Sequence, residues 1–163
     1  LAARLDVSEA ALYRHFASKA QMFEGLISFI EQTIFGLINQ ITEREESGDR
    51  QAQEILMVLL GFGEKNPGMT RVLLGDALWL EDERLQDRIA QIFERIESSL
   101  KQSIRVAQTQ GRLPQSADGN EVSARAAMMI SYVVGRWHRY ARSGFKKSPT
   151  EHNDFPMRAL FSV

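Results

Sequence analysis

Ser8-Glu-Ala-Ala-Leu-Tyr-Arg-His-Phe-Ala-Ser-Lys19 reads as one short helix behind a cap. Ser8 suits the cap because its hydroxyl can accept from a free backbone N–H of the first turn. Leu12 and Phe16 stand four apart and Val7 precedes the cap, so one face packs inward. Ahead of it, Leu1-Ala-Ala-Arg-Leu-Asp-Val7 reads as another short apolar-faced helix that ends in a tight turn. Two helices joined by a three- to four-residue turn make a helix-turn-helix, whose second helix enters the DNA major groove. Ala10 and Ala11 are small enough to let the backbone approach base edges. Tyr13, Arg14, His15 and Lys19 carry donors suited to phosphate oxygens.

Composition frames this reading. The chain has 163 residues, 44% hydrophobic and 25% charged, enough for a substantial core. Its formal net charge of −1 excludes a uniformly basic nucleic-acid binder. Residues 1–19 carry three basic side chains (Arg4, Arg14, Lys19) against two acidic ones (Asp6, Glu9), a local balance of only +1. Tight DNA binding therefore calls for a dimer, a further basic segment, or both. The absence of cysteine excludes disulfides and thiolate metal sites and is compatible with a reducing cytoplasm. No apolar run approaches the ~20 residues that span a bilayer, and no signal peptide is present. Leu1 and Val163 both fall in segments that read as helical, so both ends are expected to continue in a longer chain.

Helical periodicity dominates the remainder, with no sustained alternation of period two. Ser18-x-x-Gln21 is a capping box opening a helix of about two dozen residues. Its apolar face holds Met22, Phe23, Leu26, Ile27, Ile30, Ile34, Ile38 and Ile41, and it ends in the charged stretch Glu43–Arg50. Phe29 falls off that stripe, which predicts an aromatic ring in solvent. Ile55–Leu60 predicts a buried helix, broken by Gly61-Phe-Gly-Glu-Lys-Asn-Pro-Gly68. Asn66 as cap and Pro67 at the first helical position predict a short helix to about Leu78. Long amphipathic helices follow over 82–109 and 121–142, the second with Trp137 and Tyr140 inward. Ser143–Asp154 reads as polar and flexible, and Pro156 opens a last helix. The expected fold is all-α: a helix-turn-helix head over 1–20, lacking its first helix, and a helical body over 21–163.

No catalytic constellation is present, so an enzyme is not expected. His15, His138 and His152 have no metal-ligand spacing, and no nucleophile elbow occurs. Gly61, Gly63, Lys65 and Gly68 lack the spacing of either phosphate-binding fingerprint and read as helix breakers.

Leu12-Tyr-Arg-His-Phe16 followed by Ser18-Lys19 resembles the recognition-helix signature of the TetR family. The body stretches Leu59–Arg71, Leu74–Leu78, Asp82–Gln86, Gln91–Glu97 and Arg142–Lys146 are similar to a branch of that family that acts in nucleoid occlusion. The resemblance implies a homodimer, paired through the helices at 82–109 and 121–142, on a palindromic double-stranded DNA site. Ser8, Ala10, Ala11, Tyr13, Arg14, His15 and Lys19 would be its DNA-binding residues. It further implies a protein partner, the tubulin-like division protein FtsZ, whose C-terminal tail would be held by Phe29, Leu37, Val58, Gly61, Lys65 and Asn66. That branch has a basic residue where this chain reads Leu37, which leaves open how far the groove relies on charge. Such a protein would be cytoplasmic and nucleoid-associated, with no cofactor, no small-molecule effector and no membrane requirement. The alternative is a ligand-released repressor of TetR type, with Trp79, Trp137, Tyr132 and His138 lining an effector cavity.

Overall fold

The computed structural model describes residues 19–75 and 83–162. Among them are six helices: α1 (Lys19–Arg44), α2 (Gly48–Lys65), α3 (Pro67–Leu73), α4 (Glu83–Thr109), α5 (Glu121–Arg142) and α6 (Asp154–Leu160). No strand occurs among the described residues. The all-α expectation holds. The eight stripe residues expected to face inward on α1 are all buried, joined by Phe35. Spacing of three and four along a 26-residue helix is what keeps them on one side.

Hydrogen bonds between helices fix their directions. Arg88 at the start of α4 donates to Glu24 O and Ser28 Oγ, and Arg95 pairs with Glu31, so α4 runs parallel to α1. Gln51 at the start of α2 accepts from Ser103 near the end of α4, so α2 runs back against both. Trp137 donates to Leu59 O and Tyr140 to Glu64 O, so α5 runs parallel to α2. The tight corner between α1 and α2 is clasped by Gln110, whose amide accepts from Gly48 N and donates to Glu46 O. A side chain at Gly48 would collide with the backbone of Ala107, so only glycine lets α2 start this close to α4.

Several local expectations are corrected. Gly61 and Gly63 do not break α2, which continues to Lys65 and turns only at Asn66. Asn66 does not cap α3 with its side chain; its Nδ2 and backbone N both donate to Phe62 O, closing the end of α2. Helix α3 ends at Leu73 rather than Leu78, and residues 76–82 lie outside the described ones. The last helix begins at Asp154 and stops at Leu160.

The segment 143–153 is not a loose loop but a strap along α2. Ser148 Oγ and Thr150 Oγ1 donate to the two carboxylate oxygens of Glu64. Arg136 donates to the carbonyls of Glu151 and His152, and Arg139 pairs with the Glu151 carboxylate at 2.6 Å. Tyr132 donates to Asn153 Oδ1, and Asn153 Nδ2 lies 2.8 Å from Met57 Sδ. Phe145 and His152 take positive φ (62° and 50°), each costing about 1 kcal/mol. The guanidinium contacts on one side and the Phe145–Tyr140 ring contact (5.2 Å between centroids) on the other offset that strain.

Candidate protein-binding groove and DNA-binding end

Helices α1 and α2 lie antiparallel, and each presents a ridge spaced by four residues to the cleft between them. The ridge of α1 is Phe29, Thr33 and Leu37; that of α2 is Met57, Val58, Gly61, Phe62 and Lys65, with Asn66 at the corner. Together they line one open groove of about 470 Å³, room for a few side chains of a docked segment. All six residues expected at the protein-binding site are therefore brought together. Thr33, Met57 and Phe62 join them and were missed. Their signal was available in principle, since Thr33 stands midway between Phe29 and Leu37, and Met57 stands four before Gly61.

The groove is apolar with one cationic end. Phe29 is 50% exposed, as its position off the stripe of α1 predicts, and Met57 is 42% exposed. Large apolar side chains so uncovered mark an interaction site more often than a packing defect. Lys65 is exposed and makes no ion pair among the described residues. Gly61 has nothing within 4 Å of the position a Cβ would take, so α2 presents bare backbone at the middle of the groove. Leu37 is half-buried and adds an apolar wall rather than a charge.

Of the residues expected to touch DNA, Ser8, Ala10, Ala11, Tyr13, Arg14 and His15 lie outside the described residues. Lys19 opens α1, with its Nζ 5.8 Å from the centre of the Phe23 ring. From there one continuous helix runs to the groove ridge at Phe29.

Of the residues offered as lining for an effector cavity, the three described ones do not converge. Trp137 is fully buried, with its indole N–H on Leu59 O. Tyr132 faces the strap through Asn153, and burial pushes its phenol above the ordinary tyrosine range. His138 is exposed, in a shallow apolar depression with Phe93, Ile130, Ser131, Val134 and Gly135 on the outer faces of α4 and α5. Trp79 lies outside the described residues. Among the described residues no group of acidic, histidine or cysteine side chains could hold a metal ion, and no helix is long and apolar enough to cross a membrane.

Comparison with known proteins agrees along almost the whole chain. The family model for bacterial regulatory proteins of the tetR family matches residues 1–26, and the model for the tetracyclin repressor-like C-terminal domain of SlmA type matches residues 50–161. The nucleoid occlusion factor SlmA of Alteromonas mediterranea is 52% identical over 151 residues, covering 93% of this chain and 76% of the relative. The nucleoid occlusion factor SlmA of Aliivibrio fischeri is 48% identical, with the same coverage. That of Vibrio cholerae is 47% identical over 94% of this chain and 77% of its own. The ligand-released repressor is not favoured by these relatives. The chain belongs to the SlmA family of nucleoid occlusion factors, within the tetR family of DNA-binding regulatory proteins.

Proposed function

We propose that the protein is a DNA-tethered inhibitor of cell division, holding the C-terminal tail of FtsZ in the groove between α1 and α2. One observation carries this reading: Phe29, Leu37, Val58, Gly61, Lys65 and Asn66, the six positions that the family resemblance implies, line one open apolar groove with a cation at its end. An amphipathic or extended peptide gains affinity there by filling the apolar trough, while an acidic group nearby meets Lys65. The head residues Ser8, Ala10, Ala11, Tyr13, Arg14, His15 and Lys19 hold the duplex, which sets where along the nucleoid the inhibitor sits. The output is a block on ring assembly over that DNA, not chemistry; the relatives' names describe an occlusion factor and regulators rather than an enzyme.

A homodimer supports this role. Helices α4 and α5 turn an apolar outer surface to solvent, with the Phe93–Ile130–Val134 depression and a half-exposed Met128. Pairing two copies there covers that surface and gives the two recognition helices that a palindromic site requires.

Co-sedimentation with FtsZ polymers tests the partner. The parent protein is expected in the pellet, and Phe29→Ala and Lys65→Ala are expected to leave it largely in the supernatant. A parent protein that never pellets with FtsZ would sink the assignment.

A further inference from the structure

Six methionines occur in the chain, and their surroundings differ sharply. Met22, Met69 and Met129 are at most 5% exposed, whereas Met57 and Met128 are 42% and 50% exposed. Met128 lies on α5, away from the groove; Met57 is part of the groove wall. Its sulfur is also held in place. Tyr132 donates to Asn153 Oδ1, and the Asn153 amide donates to Met57 Sδ. That contact engages one of the thioether's two lone pairs, and the residue as a whole stays 42% exposed.

We propose that Met57 is a reversible oxidation site that switches the groove between a peptide-binding and a non-binding form. The inference rests on the partner reading above. The oxidant is a two-electron oxidant of the peroxide class. The sulfur lone pair attacks one peroxide oxygen, an S–O bond forms and the O–O bond breaks. The departing oxygen takes the proton of the transferred one and leaves as water. Sulfur is oxidised by two electrons and the peroxide is reduced by two. The product is a methionine sulfoxide, a strong dipole on what was an apolar wall. A tail segment docking there would have to desolvate that dipole beside Phe29, Leu37 and Val58, and the one donor already on the sulfur is the Asn153 amide. Sulfoxide reductases reverse the step, so the groove regains its apolar wall.

The test uses the full chain treated with hydrogen peroxide, peptide-mass mapping of each methionine, and a labelled synthetic FtsZ tail peptide added after the oxidant is removed. Met57 and Met128 are expected to oxidise well before Met22, Met69 and Met129. Peptide affinity is expected to fall about tenfold and to return after sulfoxide reductase treatment. Met57→Leu, compared with itself before and after peroxide, is expected to show no such change. Persistence of reduced Met57 while Met128 oxidises, or an equal loss of affinity in Met57→Leu, would overturn the proposal. The mass readout does not depend on the peptide. Failure of the partner reading, seen as no binding by untreated protein, is thus separate from failure of this one.

Discussion

Gly61 and Gly63 stand two residues apart in one helix and are glycines for opposite reasons. At Gly63 a Cβ would sit 2.5 Å from Trp137 Cδ1, because the indole lies directly on α2 with its N–H on Leu59 O. At Gly61 the same atom would meet nothing within 4 Å. Alanine gains about 1 kcal/mol over glycine in a helix interior. At position 63 the displaced, fully buried tryptophan costs more than that, so Gly63→Ala is expected to destabilise by about 2–3 kcal/mol in urea unfolding. Gly61→Ala is expected to stabilise by up to about 1 kcal/mol in the same measurement, while its methyl group intrudes on the groove and weakens tail binding. From sequence both glycines read as helix breakers, because propensity is all that a single sequence displays. The actual reasons are a tertiary contact with a residue far along the chain and a surface left bare for a partner. Phe29 was legible for the converse reason: its exposure follows from its angle on α1 alone.

At the scale of elements, the helices were legible and the strap was not. Apolar spacing locates α1, α4 and α5 to within a few residues, since the core they face selects for that period. The stretch 143–153 is polar, and its composition resembles that of a mobile loop. Its order comes from Arg136 and Arg139 on α5 and Glu64 on α2, partners that composition cannot reveal. The Arg139 guanidinium holds the Glu151 carboxyl below the ordinary carboxylate range, and the group is solvent-facing. A depressed folded pKa stabilises the pair above the unfolded value and is lost as pH falls through the folded one. Acidification through and below the carboxylate range is therefore expected to raise amide exchange in residues 148–153 before it affects the core of α2. Glu151→Gln should exchange at neutral pH much as the parent does in acid. Equal protection in parent and variant at neutral pH would show that the Arg136, Glu64 and Tyr132 contacts hold the strap without the Arg139–Glu151 pair.

For the whole molecule, α1 is the element that would link the proposed DNA-binding end to the groove. It begins at Lys19 and ten residues later carries Phe29 into the groove. Arg88 and Arg95 clamp the other side of α1 to α4, the helix that the proposed dimer would use. Two consequences follow from the proposed assembly. Removing one phosphate contact with Lys19→Ala is expected to lower affinity for all DNA sequences and to reduce the salt slope by about one. Gly135→Glu places a charge in the apolar surface of α4 and α5 and is expected to split the dimer, read by sedimentation velocity.

The most direct measurement is FtsZ assembly followed by light scattering, with and without duplex carrying the cognate site. The groove account predicts that the DNA-bound parent suppresses assembly, whereas Phe29→Ala, bound to the same duplex with unchanged affinity, does not. Suppression by Phe29→Ala and Lys65→Ala as strong as that of the parent would contradict it.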